Sequence, residues 1–137
     1  MRSRIGSVTV LADDALGLVK FYCETLGFSV KSAHGDYIEL ENDGVRFVVC
    51  SRAVMASVTG HWSYGEPKCG QVFALTFPLR SHDQVDETYA DLVARGAMPV
   101  QSPKTMPWGQ RAAFFADPEG NIHQLFADLP MPAEPCW

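Results

Sequence analysis

Pro107-Trp108-Gly109-Gln110-Arg111-Ala112-Ala113-Phe114-Phe115-Ala116 runs into Asp117-Pro118-Glu119-Gly120-Asn121-Ile122-His123-Gln124-Leu125. An apolar β-type run, a turn built from Asp, Pro, Gly and Asn, and a second run of alternating polarity predict two antiparallel strands. The tryptophan lies between a proline and a glycine, so it should project from a loop at a strand end.

Upstream of this hairpin the pattern is regular. Gln71 to Phe77 reads as a strand. Ser81, His82 and Asp83 precede a helix carrying Val85, Tyr89, Leu92 and Val93, which stops at Gly96. Ala97 to Gln101 is a further strand, followed by a loop from Pro103 to Trp108. Gln110 to Ala116 and Asn121 to Ala127 are the last two strands, and residues 129–137 form a proline-rich tail.

The first half repeats the plan. Ile5 to Leu11 is β-type, and Asp13 and Asp14 are N-cap candidates for a helix running to about Thr25. Leu16, Val19, Phe21, Tyr22 and Leu26 give the helix its apolar stripe, and Gly27 ends it. Phe28 to Ser32, Tyr37 to Glu41 and Val45 to Cys50 are strands, the last two joined at Asn42-Asp43-Gly44. Ser51 to Gly70 loses periodicity and reads as a loop with at most one helical turn. The expected fold class is therefore α+β: two β-α-β-β-β repeats, about 1–50 and 71–128, joined by a linker over 51–70 within one domain of 1–128. One such repeat cannot hide both faces of its sheet. Two together make a curved, eight-stranded surface with a concave side.

Composition narrows the function. With 137 residues, 47% hydrophobic and 20% charged, the chain is globular and of single-domain size. A net charge of -5 and no basic face predict no nucleic-acid partner. No apolar run approaches the roughly 20 residues of a membrane span. Met1-Arg2-Ser3-Arg4 is basic but leads into a strand, not a secretory signal. Cys23, Cys50, Cys69 and Cys136 lack CxxC spacing and read as reduced thiols of a cytoplasmic protein.

Three segments carry a family resemblance: Asp14 to Phe28 with its Phe21-Tyr22 and Leu26-Gly27-Phe28, Val85 to Gly96, and Trp108 to Phe126. Within a duplicated β-α-β-β-β chain, these resemble the vicinal oxygen chelate superfamily of glyoxalase I, extradiol dioxygenases and fosfomycin- and bleomycin-resistance proteins. The likeness spans about residues 5 to 128. It implies paired units around a cleft, completed or swapped in a homodimer.

The resemblance also implies where a divalent metal would sit in the family's enzymes, on His, Glu or Gln from the first, fourth, fifth and eighth strands. Carried over position by position, these sites are Ser7, Val48, Val72 (with a shift of one residue open) and Gln124. Only Gln124 can coordinate, and an amide oxygen is a weak ligand for a transition metal. A catalytic metal site needs about three strong protein donors and an open position. No cofactor is therefore expected. His34, His82 and His123 fall away from the cleft, and His61 in the central loop is the one candidate substitute.

Period-two alternation sorts the strand faces. Ile38 and Leu40 should meet the helices, with Tyr37 and Glu39 on the cleft side together with Arg46, Val48 and Cys50. In the second half Ala112, Phe114 and Ala116, and Ile122, Gln124 and Phe126, should face the cleft, and His123 the helix side.

A concave aromatic cavity without metal chemistry suits a ligand-binding module. Trp108 and Phe114 are candidates for stacking, Tyr37, Trp62 and Tyr64 for further walls or a lid, and Glu39, Arg46 and Gln124 for polar anchors. Trp108 equally fits a dimer interface, and Phe114 and Tyr37 equally fit plain core. Glu39 and Arg46 can pair across the hairpin, and Arg111 can bridge to an acidic side chain or a turn carbonyl. Within the superfamily the Trp108 to Asn121 segment resembles the bleomycin-resistance type most. It implies a non-enzymatic dimer that sequesters an aromatic antibiotic. The alternatives are a glyoxalase-like metal-dependent lyase, isomerase or dioxygenase, and a small interaction domain with a vestigial cleft.

Overall fold

A computed structural model describes residues 3–128. The tail expected over 129–137, with Cys136, and the first two residues of the basic N-terminus lie outside the described residues. No helix among the described residues is long and apolar enough to cross a membrane. The chain forms two compact units that divide between Gly70 and Gln71. It is mixed α+β, with two four-stranded sheets, each built on a β-α-β-β-β plan.

The first unit contains β1 (Ser7–Ala12), α1 (Ala15–Glu24), β2 (Val30–His34), β3 (Tyr37–Leu40) and β4 (Arg46–Ser51) in sheet order β1-β4-β3-β2. The Asp14 carboxylate accepts the Gly17 N–H at 3.0 Å and caps α1. Gly27 takes φ +84 just past its end, a left-handed stop that any Cβ would strain. Leu18, Val19, Phe21 and Tyr22 bury the inner stripe of α1. Tyr22 meets Phe47 at a centroid distance of 5.6 Å, and Phe28 meets Phe47 at 5.2 Å. Burying rings of this size contributes about 1.5–3 kcal/mol apiece. These contacts put Phe47, and with it Ile38, Leu40 and Val49, on the helix side of the sheet.

The segment after β4 departs from the sequence reading. It is not a loop with one helical turn. It holds α2 (Arg52–Thr59) and a 3-10 turn at Trp62–Gly65. Ser51 caps α2 through its hydroxyl, which accepts the Val54 N–H at 3.1 Å, and Gly60 ends it at φ +66. No residue of α2 is buried, and at eight residues the helix is too short to show a sustained apolar period along the sequence. Arg52 ties the segment together by donating to the carbonyls of Tyr64 at 3.1 Å and Glu66 at 2.6 Å.

The second unit contains β5 (Thr76–Pro78), α3 (His82–Ala94), β6 (Met98–Thr105), β7 (Arg111–Ala116) and β8 (Ile122–Ala127), in sheet order β5-β8-β7-β6. Ser81 caps α3 as expected, accepting the Gln84 N–H at 3.1 Å. Strand β5 is much shorter than the expected Gln71 to Phe77. Side chains replace its ladder upstream: Gln71 bonds the Gly120 carbonyl and the Ile122 N–H, and the Leu75 N–H goes to His123. Strand β6 runs on through Pro103, where a loop was expected. It is an edge strand with register shifts after Pro99 and Gln101, and an edge tolerates a residue without an N–H. Strand β2 starts two residues later than expected.

Candidate functional site

Period-two alternation sorts the faces of β1, β3 and β4 in the first sheet and of β7 and β8 in the second. In the first, β1 and β4 are parallel, with Ser7 opposite Arg46 and Thr9 opposite Val48. Glu39 in turn lies opposite Val48, and Tyr37 opposite Cys50. Ser7, Thr9, Tyr37, Glu39, Arg46, Val48 and Cys50 therefore share the face turned away from α1. Glu39 and Arg46 pair as expected: Arg46 Nε and Nη2 donate to Glu39 Oε1 at 3.2 and 2.7 Å. Lys31, which the sequence reading missed, brings its ammonium to 3.6 Å from Oε2. It lies in the register shift between Val30 and Ser32, where simple alternation fails. Arg46, seconded by Lys31, holds the Glu39 carboxyl below the ordinary glutamate range against the opposing effect of burial.

In the second sheet Phe114 lies opposite Gln124, Ala112 opposite Phe126 and Ala116 opposite Ile122. Arg111, one face over, donates through Nε to Asp86 of α3 at 2.8 Å. That bridge fixes α3 on the side of Arg111, Ala113 and Phe115. Phe114 and Gln124 share the opposite face, both half-buried. His123 points to the helix side, fully buried among Phe73, Phe77 and Phe115.

Trp108 sits in the turn between β6 and β7. The Met106 N–H donates to the Gln110 carbonyl at 2.7 Å and closes that turn. The indole is 68% exposed, yet its Nε1–H donates to Gln110 Oε1 at 3.0 Å, and Gln110 is held by Asp128 at 3.1 Å. The ring is thus solvent-facing with a fixed edge. Trp62 is 72% exposed and stacks on His61 at 5.3 Å. Tyr64 is half-buried on the same 3-10 turn. His61 Nδ1 accepts the Ser63 N–H at 3.2 Å, so that ring nitrogen serves a turn. The structure thus brings together Glu39 with Arg46, Phe114 with Gln124, and Trp62 with Tyr64.

The profile of the Glyoxalase/Bleomycin resistance protein/Dioxygenase superfamily matches residues 4–125. The chain belongs to this superfamily. It is 27% identical over 126 residues to the uncharacterized protein YraH of Bacillus subtilis (strain 168), covering 89% of this chain and 96% of YraH. Among solved structures it is similar to a glyoxalase/bleomycin resistance protein/dioxygenase from Nocardioides. That match has a TM-score of 0.85 and 25% identity, covering 100% of this chain and 91% of the other. It also shares its fold with a lactoylglutathione lyase from Agrobacterium tumefaciens, at a TM-score of 0.66 and 19% identity over 93% of this chain and 95% of that one.

Enzymes of the glyoxalase superfamily hold a divalent metal, and the donors here do not fit one. Val72 is outside any strand and exposed. The β5 residue opposite Gln124 in the parallel ladder is Thr76. In the first unit Ser7 and Val48 supply a hydroxyl and an aliphatic group, and in the second Thr76 and Gln124 supply a hydroxyl and an amide. None is an imidazole, thiolate or carboxylate, the groups that hold catalytic zinc or iron.

Proposed function

We propose that the chain binds and sequesters a planar aromatic small molecule, such as an aromatic antibiotic, without transforming it, and that it works as a homodimer. The observation that supports this reading is the chemistry of each sheet's ladder: Ser7 and Val48 in the first, and Gln124 beside Thr76 in the second, include no imidazole, thiolate or carboxylate of the kind a catalytic metal takes. Two exposed indoles, Trp108 and Trp62, support it, because a flat ring on a protein surface offers a desolvating contact to a flat ligand. The Trp108 ring is oriented in advance by Gln110, which lowers the cost of ordering it on binding. Sequestration then needs only mass action: bound drug is not free drug.

Titration of the full chain with planar natural products, read by tryptophan fluorescence and calorimetry, tests the proposal. Saturable quenching with unchanged ligand is expected. A divalent ion that copurifies in stoichiometric amount, together with turnover of a chelating oxygen substrate, would overturn it in favour of a glyoxalase-like enzyme.

A further inference from the structure

Where the superfamily places metal ligands in the first sheet, this chain has a different source of positive charge. Ser7 lies opposite Arg46 in the β1/β4 ladder. The Glu39 side chain beneath is 8% exposed, whereas those of Arg46 and Lys31 are 59% and 56% exposed. A buried carboxylate thus forms the floor and two cations form the rim. Glu39 stays ionised at neutral pH, held down by Arg46 first and Lys31 second. One carboxylate against two cations leaves one positive charge in surplus toward solvent. A guanidinium offers five N–H donors, and Glu39 engages two of its nitrogens through a single oxygen. The hydroxyls of Ser7 and Thr9 and the ring of Tyr37 lie on the same face.

We infer that Arg46 and Lys31 take up an anionic oxygen group of the ligand, so that the ligand is an aromatic acid. Guanidinium recognition of a carboxylate stands here in place of metal chelation. The inference rests on the reading above and narrows its ligand class.

The test uses two probes with one ring system, 2-naphthoate and 2-naphthamide, titrated calorimetrically into the full chain. Wild type is expected to bind the carboxylate about tenfold tighter than the amide, with the preference shrinking as salt is added. Arg46→Met should bring the two affinities within about twofold. Glu39→Gln removes the competing carboxylate and should widen the preference for naphthoate over naphthamide. It also guards against an Arg46→Met chain that fails to fold. Equal binding of both probes by wild type, or a Glu39→Gln chain whose preference for naphthoate does not widen, would overturn the anion site and leave flat-ligand binding standing. Binding of neither probe up to its solubility would overturn both.

Discussion

His123 Nε2 and Asp117 Oδ2 lie 2.7 Å apart, with both side chains fully buried. The other ring nitrogen, Nδ1, accepts the Leu75 N–H at 3.1 Å, which places the ring hydrogen on Nε2 as a donor to Asp117. The same carboxylate accepts the N–H groups of Glu119 and Asn121, each at 3.0 Å, and the Asn121 side chain at 2.9 Å. The Asp-Pro-Glu-Gly-Asn turn is therefore organised around one carboxylate, and β8 is locked to the segment before β5 through it.

Asp117→Ala removes an acceptor shared by four donors. A loss of about 3 kcal/mol or more of folding stability is expected, by the cost of deleting a buried charged acceptor. Urea unfolding measures it. A change under about 1 kcal/mol would mean that the turn holds without its carboxylate.

Trp108→Ala separates binding from folding. The indole is largely exposed, so stability should change by less than about 0.5 kcal/mol. Affinity for a planar aromatic probe should fall about tenfold, or about 1.4 kcal/mol. Calorimetry with 2-naphthamide checks both the platform and its independence of charge. Unchanged affinity would reassign Trp108 to a protein interface.

The lowered Glu39 value links to pH with a definite sign. A carboxyl depressed in the folded state contributes stability fully above its ordinary value of 4.5, and loses it as pH falls through the lower folded value. Glu39→Gln should therefore differ from wild type in urea midpoint near neutrality and converge with it in acid. Parallel curves across that range would show that the Arg46 pairing has no effect on stability.

Added zinc or nickel should leave the melting temperature unmoved, because a ligand stabilises only the state that binds it and these donors bind such ions weakly. Scanning calorimetry with a saturable upward shift would reopen the enzyme reading.

Arg52→Met should loosen the central segment without unfolding the sheets. Its guanidinium donates to carbonyls at Tyr64 and Glu66. Hydrogen exchange at residues 62–66 should quicken while β4 and β7 stay protected. Equal protection in both chains would assign the order of this turn to its own backbone.

Much of the fold was legible along the chain. Asp14, Ser81, Gly27 and Gly96 marked helix ends because capping is local chemistry between neighbours. The Glu39–Arg46 pair and the Phe114–Gln124 face followed from strand alternation, which has a fixed period of two. Ser51 and Gly60 were equally good markers for α2, but they enclose only eight residues, too few for the apolar period to stand out.

The sequence by itself determined the duplicated β-α-β-β-β plan, the ends of α1 and α3 and the faces of the strands without bulges, since each rests on contacts a few residues long. Tertiary structure alone decided that Thr76, not Val72, stands beside Gln124, that Lys31 joins Glu39, and that His123 answers Asp117 and Leu75. The first two depend on strand register and a bulge, and the third on burial that leaves a histidine no water to bond, and none of these is encoded in local periodicity.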